Sequence, residues 1–247
     1  MIVTSVESGW EIVFQETHGL LAAQLAQKLK KRWRPREWTQ TVAAILTHDD
    51  HKQPFNARHY VTKLGAPRDF TLVSMSAAER LAEAERRIAH STRKHRWIGL
   101  LMSRHVEHLY GGESGVSAKM KRLLRNEQKR RKATLQAIGL GEAELEHAYS
   151  LLQWCDRCSL ILTRGEIPAM ERRIEITHTL DDKRSYLKQR SDGTLAVKPW
   201  PFEEDELTVS AEVRLLEQLA FSDDEDLIKR LDAAQVETRQ WTFSRND

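Results

Sequence analysis

The dipeptide His48-Asp49, within Leu46-Thr47-His48-Asp49-Asp50, closes an apolar stretch of helical period, with His18 upstream and Asp156 far downstream. Imidazole beside carboxylate packs a core poorly but holds a divalent ion well, and a mixed nitrogen and oxygen set accepts Mn, Fe or Zn. The apolar spacing points all four side chains inward. Leu21, Ala22, Leu25 and Leu29 share a stripe with His18, and Trp38, Val42 and Ile45 lead into His48-Asp49. Leu145, Ala148, Tyr149 and Leu152 continue to Asp156, then Ser159 and Leu160, and Ile98, Leu101, Met102 and Leu109 flank His105. Four helices thus each offer a ligand-type residue to one interior. A carboxylate on such a ladder is costly unless it is paired or bound to a cation. Each residue alone has a plainer reading. The histidines are core groups satisfied by one hydrogen bond, Asp156 is paired with Arg157 or Arg104, and His48-Asp49 is a helix C-terminus entering a loop.

The order histidine, histidine–aspartate, aspartate, with every member on a helix, resembles the HD (histidine–aspartate) superfamily of metal-dependent phosphohydrolases. His18 matches the first histidine, His48-Asp49 the signature pair and Asp156 the closing aspartate, within Trp154-Cys155-Asp156-Arg157-Cys158-Ser159-Leu160. The likeness covers residues 15–165. More narrowly, the chain resembles an uncharacterised bacterial domain-of-unknown-function family through Trp10, His18-Gly19-Leu20-Leu21-Ala22, His48-Asp49-Asp50, Ser103-Arg104-His105 and the Asp156 segment.

The resemblance implies a divalent metal (Mn, Fe, Zn, Co or Mg) on His18, His48, Asp49 and Asp156, and hydrolysis of a nucleotide or other small phosphate ester. Asp49 would bridge metal and water and take the proton of the water. His105 would be a second-metal ligand or the acid to the leaving oxygen, Arg104 would neutralise phosphoryl charge, and Asp50 would orient a ligand. His51, His90 and His95 are weaker candidates, and His90, which falls with Arg86, Arg87 and Lys94 on a polar face, is left out. Two other classes stay open: an HD-like mixed-valent di-iron oxygenase, and a catalytically degenerate binding module.

Positioning falls to helices expected over 17–31, 36–48, 76–110 (broken near His90–Arg93), 117–137 and 141–164. Residues 50–74, with Pro54, Gly65 and Pro67, read as a long loop that could wall or lid the site. Alternation marks strands at Ile2-Val3, Trp10–Phe14, Ile174/Ile176, a hairpin about Ser191-Asp192-Gly193, Leu207–Val213 and Trp241/Phe243. Ser222-Asp223-Asp224-Glu225 reads as a capping box opening one late helix. The expected fold is therefore α+β, mainly α. It has an HD-like helical bundle core with a small antiparallel sheet from both termini, residues 1–168 forming the core unit and 169–247 a mainly β extension packed on it.

The 247 residues, 40% hydrophobic and 30% charged, suffice for one sizeable core. The sequence shows neither a secretory leader nor an apolar run of membrane-span length, so a cytoplasmic protein without membrane partners is expected. Cys155 and Cys158 make no disulfide framework and read as core thiols. The net charge of +3 is unevenly spread. Cations crowd 119–132 and 28–36, and acids crowd 203–206 and 223–226. Such runs read as solvated faces or as attraction for a phosphate-bearing substrate or RNA, and no base-reading motif accompanies them. Trp33, Trp38 and Trp97 read equally as core or as a dimer seam.

Overall fold

The computed structural model describes residues 1–50, 59–112, 115–178 and 183–245. Strands β1 (Ile2–Val6) and β2 (Gly9–Val13) form a hairpin that runs directly into helix α1 (Gln15–Lys28), followed by α2 (Trp38–Leu46). Helices α3 (Ala77–Lys94), α4 (Arg96–Tyr110), α5 (Ala118–Ile138) and α6 (Glu142–Thr163) come next. Strands β3 (Arg173–His178), β4 (Arg184–Gln189), β5 (Leu195–Lys198) and β6 (Glu206–Leu216), helix α7 (Asp224–Ala233) and strand β7 (Gln235–Ser244) complete the chain.

The strands form one sheet in the order β1-β2-β6-β7-β5-β4-β3. This overturns the expected bundle with a small antiparallel sheet. Among the described residues seven strands make a mixed sheet curled into a half-barrel, with about 22% of the chain in strands and 50% in helices. The joint is β5, which pairs in parallel with β7 at Leu195 and Phe243 and so fuses the β3-β4-β5 meander to the β6-β7 ribbon. Alternation marks a strand but not its partner, which is why seven short signals read as a minor appendage. Leu207, Val209, Ala211 and Val213 of β6 form a buried row, and α1 lies on that strand. The Gln24 amide binds the β6 backbone there, donating to Ser210 O (2.8 Å) and accepting from Ser210 N–H (3.1 Å).

Helix α6 is buried over most of its circumference. Leu151, Leu152, Trp154, Cys155, Cys158 and Ile161 are all 0% exposed, and the Trp154 indole donates to Ser185 Oγ of β4 (3.0 Å). It packs against α1, α2, α4 and β3. Both cysteines are free thiols inside this core, where burial pushes their pKa values up. The expected break in 76–110 falls at His95, whose extended backbone (φ −166°) ends α3 and whose Nδ1 accepts from Trp97 N–H to open α4 (3.2 Å). Asp223 rather than Ser222 caps α7. No helix among the described residues is long and apolar enough to cross a membrane.

Candidate metal centre

His18 stands in the first turn of α1, His48 and Asp49 in the turn just beyond α2, and Asp156 midway along α6. The helix expected to carry His48-Asp49 stops at Leu46, so the pair projects from a helix end. What brings the two histidines together is Gly19. An ideal Cβ there would sit 2.3 Å from the Leu46 carbonyl oxygen, so only glycine lets α1 cross the end of α2 this closely.

Hydrogen bonding fixes which nitrogen of each ring faces inward. Ser159 Oγ donates its one hydrogen to Asp156 O (2.9 Å) and therefore accepts from His18 Nδ1–H (2.8 Å). His48 Nδ1–H donates to Ile45 O (2.7 Å), a carbonyl that can only accept. In the neutral form of each ring Nε2 is thus left with a lone pair, and the two Nε2 atoms face each other at 3.1 Å. Asp156 Oδ1 lies 3.2 Å from each of them, and Asp49 Oδ2 lies 3.9 Å from His18 Nε2. One donor atom each of His18, His48 and Asp49 falls within 4.8 Å of the others.

Two nitrogen lone pairs and a carboxylate oxygen at mutual distances of 3.1–3.2 Å repel unless a cation lies among them. Donors about 2.1 Å from one ion stand about 3.0 Å apart at right angles and about 3.4 Å apart at a tetrahedral angle. The observed triangle falls between these values. Without an ion, a proton must take that place. Burial pulls the His48 pKa down, but Asp156 and Asp49 outweigh it and raise it to about 9. Burial likewise pulls the Asp156 carboxyl up, yet the charge of a protonated His48 outweighs it and holds the carboxyl well below the usual carboxylate range. The histidines are closed off (side chains 0% and 1% exposed), while Asp156 and Asp49 keep 22% and 13% of their side-chain surface. The cluster therefore meets solvent on its carboxylate side.

His105, on α4, is buried beside the cluster, its ring 5.7 Å from that of His48. Its Nδ1 lies 3.4 Å from the Tyr149 hydroxyl. Burial, then Arg87 and His48, lower its pKa to about 3, so it is a neutral imidazole. Arg104 does not join the site. Its guanidinium forks onto Glu146 (2.6 and 3.1 Å) and stacks over Tyr149. Arg157 pairs with Glu166, so neither arginine neutralises Asp156. Asp50 is exposed, His90 is exposed on α3 and His95 is a helix cap. His51 lies outside the described residues, as does 51–58 of the expected lid. Its continuation is tied to α7 through Tyr60 and Val61 N–H on Asp224 Oδ1, and to β1 through Val3 N–H on Asp69 Oδ2.

Three residues whose roles the sequence did not show complete the surroundings. Arg87, read from sequence as part of a polar face, is only 3% exposed; its Nη1 lies 3.6 Å from Asp49 Oδ1 and its Nη2 binds buried Glu83 (3.2 Å). The signal was present, since Ala84, Arg87, Ile88 and Ser91 share one buried helical stripe. Ser159 was visible as an inward residue but not as the holder of His18. Gly19 could be found only by knowing what crosses it.

The model of a family described as "Protein of unknown function (DUF3891)" matches residues 1–218, and the chain belongs to that family. No curated protein and no solved structure matches it.

Proposed function

We propose that the chain is a metal-dependent hydrolase of a nucleotide or other small phosphate ester, with its divalent ion (Mn, Fe, Zn, Co or Mg) held by His18, His48, Asp49 and Asp156. The observation that carries this reading is the pair of Nε2 lone pairs 3.1 Å apart under one carboxylate oxygen. The residue order, shared with HD phosphohydrolases, supports it. The sheet-based architecture lends it nothing, so the argument stands on the donor set.

A divalent ion at such a centre supplies Lewis acidity towards a phosphoryl oxygen and acidifies a coordinated water towards neutrality. The residues of the chain do the rest. His18 and His48 present nitrogens whose orientation Ser159 and Ile45 O fix in advance. Asp49, the carboxylate farther from His18 Nε2 at 3.9 Å, is suited to share an incoming water and accept its proton. His105, neutral at ordinary pH, is a poor proton source but a competent donor of a nitrogen lone pair, so of its two expected roles that of second-metal ligand is the better fit. Arg104, held by Glu146, has no part in the chemistry.

The test is elemental analysis of the purified protein beside Asp156→Ala, with release of phosphate from nucleotides and p-nitrophenyl phosphate measured in added Mn, Co or Mg. Stoichiometric metal and metal-dependent release, both lost in a folded Asp156→Ala, are expected. Absence of bound metal after incubation with excess ions would refute the reading. Two irons per chain with oxygen consumption would replace the hydrolase by an oxygenase.

A further inference from the structure

Helix α5 concentrates charge to a degree that its packing does not require. Its 21 residues carry a net +7 against +3 for the entire chain, so everything outside α5 is net acidic. Glu127 is its only acid, and Arg130 grips it (2.6 Å). Arg131 is buried and committed to Glu107 and Ser103 of α4. The other six cations, Lys119, Lys121, Arg122, Arg125, Lys129 and Lys132, are exposed and have no ion pair among the described residues. Five of them, from Lys121 to Lys132, fall within an arc of about 100° and span about 17 Å along the axis. Like charges at i,i+4 such as Lys121/Arg125 and Arg125/Lys129 destabilise a helix, and nothing on this face offsets them.

We infer that this stripe is a docking surface for the phosphate backbone of a nucleic-acid duplex. A membrane surface fits less well. The apolar side of α5 (Met120, Leu124, Leu135) is buried in the protein, and no large exposed hydrophobic residue lies on α5 to enter a bilayer. A single strand fits less well too, because such strands are held largely by stacking on aromatic side chains, and α5 has none. Cations without base-reading or stacking groups make contacts to phosphate, which are independent of sequence and weaken with salt.

The test is fluorescence anisotropy of the full chain with a 20-base-pair duplex, as RNA and as DNA, a matching single strand and anionic vesicles, over 50–200 mM salt. Four to five phosphate contacts give a slope of log K on log salt of about −4. The variant Arg122→Gln/Arg125→Gln/Lys129→Gln, altered only at exposed positions, should bind the duplex at least tenfold more weakly, with the slope shallower by about 3. Its metal content should stay unchanged, so this inference and the metal centre can fail separately. No duplex binding at 50 mM salt, an unaltered slope in the variant, or preference for the single strand or the vesicles would each overturn it. RNA over DNA, or the reverse, with the slope change intact would uphold it and name the duplex.

Discussion

Replacing Gly19 by alanine should test the helix crossing that creates the proposed metal centre. In an ordinary helix the change is stabilising by about 1 kcal/mol, because alanine is the better helix former. Here the new Cβ would lie 2.3 Å from Leu46 O, against a practical minimum of 3.0 Å. The obstacle is a backbone carbonyl, which cannot swing aside as a side-chain tip can. Helices α1 and α2 must therefore separate by about 0.7 Å, an overpacking strain that costs about 1–3 kcal/mol. With the rigid obstacle placing the strain near the top of that range, the net loss is about 2 kcal/mol, or about 4–8 °C in Tm for a chain of this size. The His18–His48 separation would open from 3.1 Å towards about 3.8 Å, past the about 3.4 Å of a tetrahedral donor pair, so metal affinity should fall at least tenfold. Calorimetric melts and metal titration of the two proteins measure both effects. A Tm that rises, as helix propensity alone dictates, with unchanged metal affinity would refute the account.

Arg87→Met removes the buried guanidinium shared by Asp49 and buried Glu83, a change that costs about 3–5 kcal/mol on denaturant unfolding. It should also weaken metal binding by about 10–100-fold, and an affinity within twofold of the parent would show that Arg87 does not position Asp49. Ser159→Ala frees His18 Nδ1–H and lets the ring adopt the other tautomer, so metal affinity should again fall at least tenfold while the fold loses about 1–3 kcal/mol. A variant that binds metal normally would exclude this role for the hydroxyl. In the metal-free protein the His48 pKa of about 9 lies above its unfolded value, so its stabilisation is complete below about pH 6.5 and is lost as pH rises through about 9. Metal-free Tm should therefore drop between pH 7 and 9.5 more than that of the metal-loaded protein, and metal binding near pH 7.5 should release a proton, read by calorimetry in buffers of different ionisation enthalpy. Equal pH profiles with no proton released would contradict the shared-proton picture.

The helical parts of the site were legible because the 3.6-residue period is local. The stripe through Leu21, Leu25 and Leu29 put His18 inside, and the expected helix 141–164 matches Glu142–Thr163 closely, with Asp156 and Ser159 facing inward. Arg104 and His105 show the limit. Neighbours on a helix point about 100° apart, so the buried histidine gave no warrant for its neighbour, which turns outward to Glu146. Arg87 failed in the opposite direction. Arginines are ordinarily solvated, and only its distant partner Asp49 explains the burial. The sheet was under-read for a related reason, since its unity rests on the parallel meeting of Leu195 with Phe243, which no local pattern announces.

That sheet alters how the proposed metal centre is held. In a bundle the four donors would rest on helices that support only one another. Here the elements bearing His18 and Asp156 are fastened to strands, α1 through the Gln24 amide on β6 and α6 through the Trp154 indole on Ser185 of β4. Ser159, which orients His18, belongs to that same fastened helix. His48 and Asp49 instead follow the end of the nine-residue α2, which packs on α1, α4 and α6. The centre thus combines a braced half, His18 with Asp156, and a half whose position depends on helix packing at Gly19 and on the grip of Arg87 upon Asp49. A cation bound among the donors joins the two halves directly, so its binding free energy adds to the stability of the α1–α2 junction. The closely opposed lone pairs are tolerable without the ion only because a proton on His48 performs the same joining less strongly. On this view the fold preorganises the site from the sheet side, while the place of Asp49, the carboxylate assigned to the water, rests on Arg87.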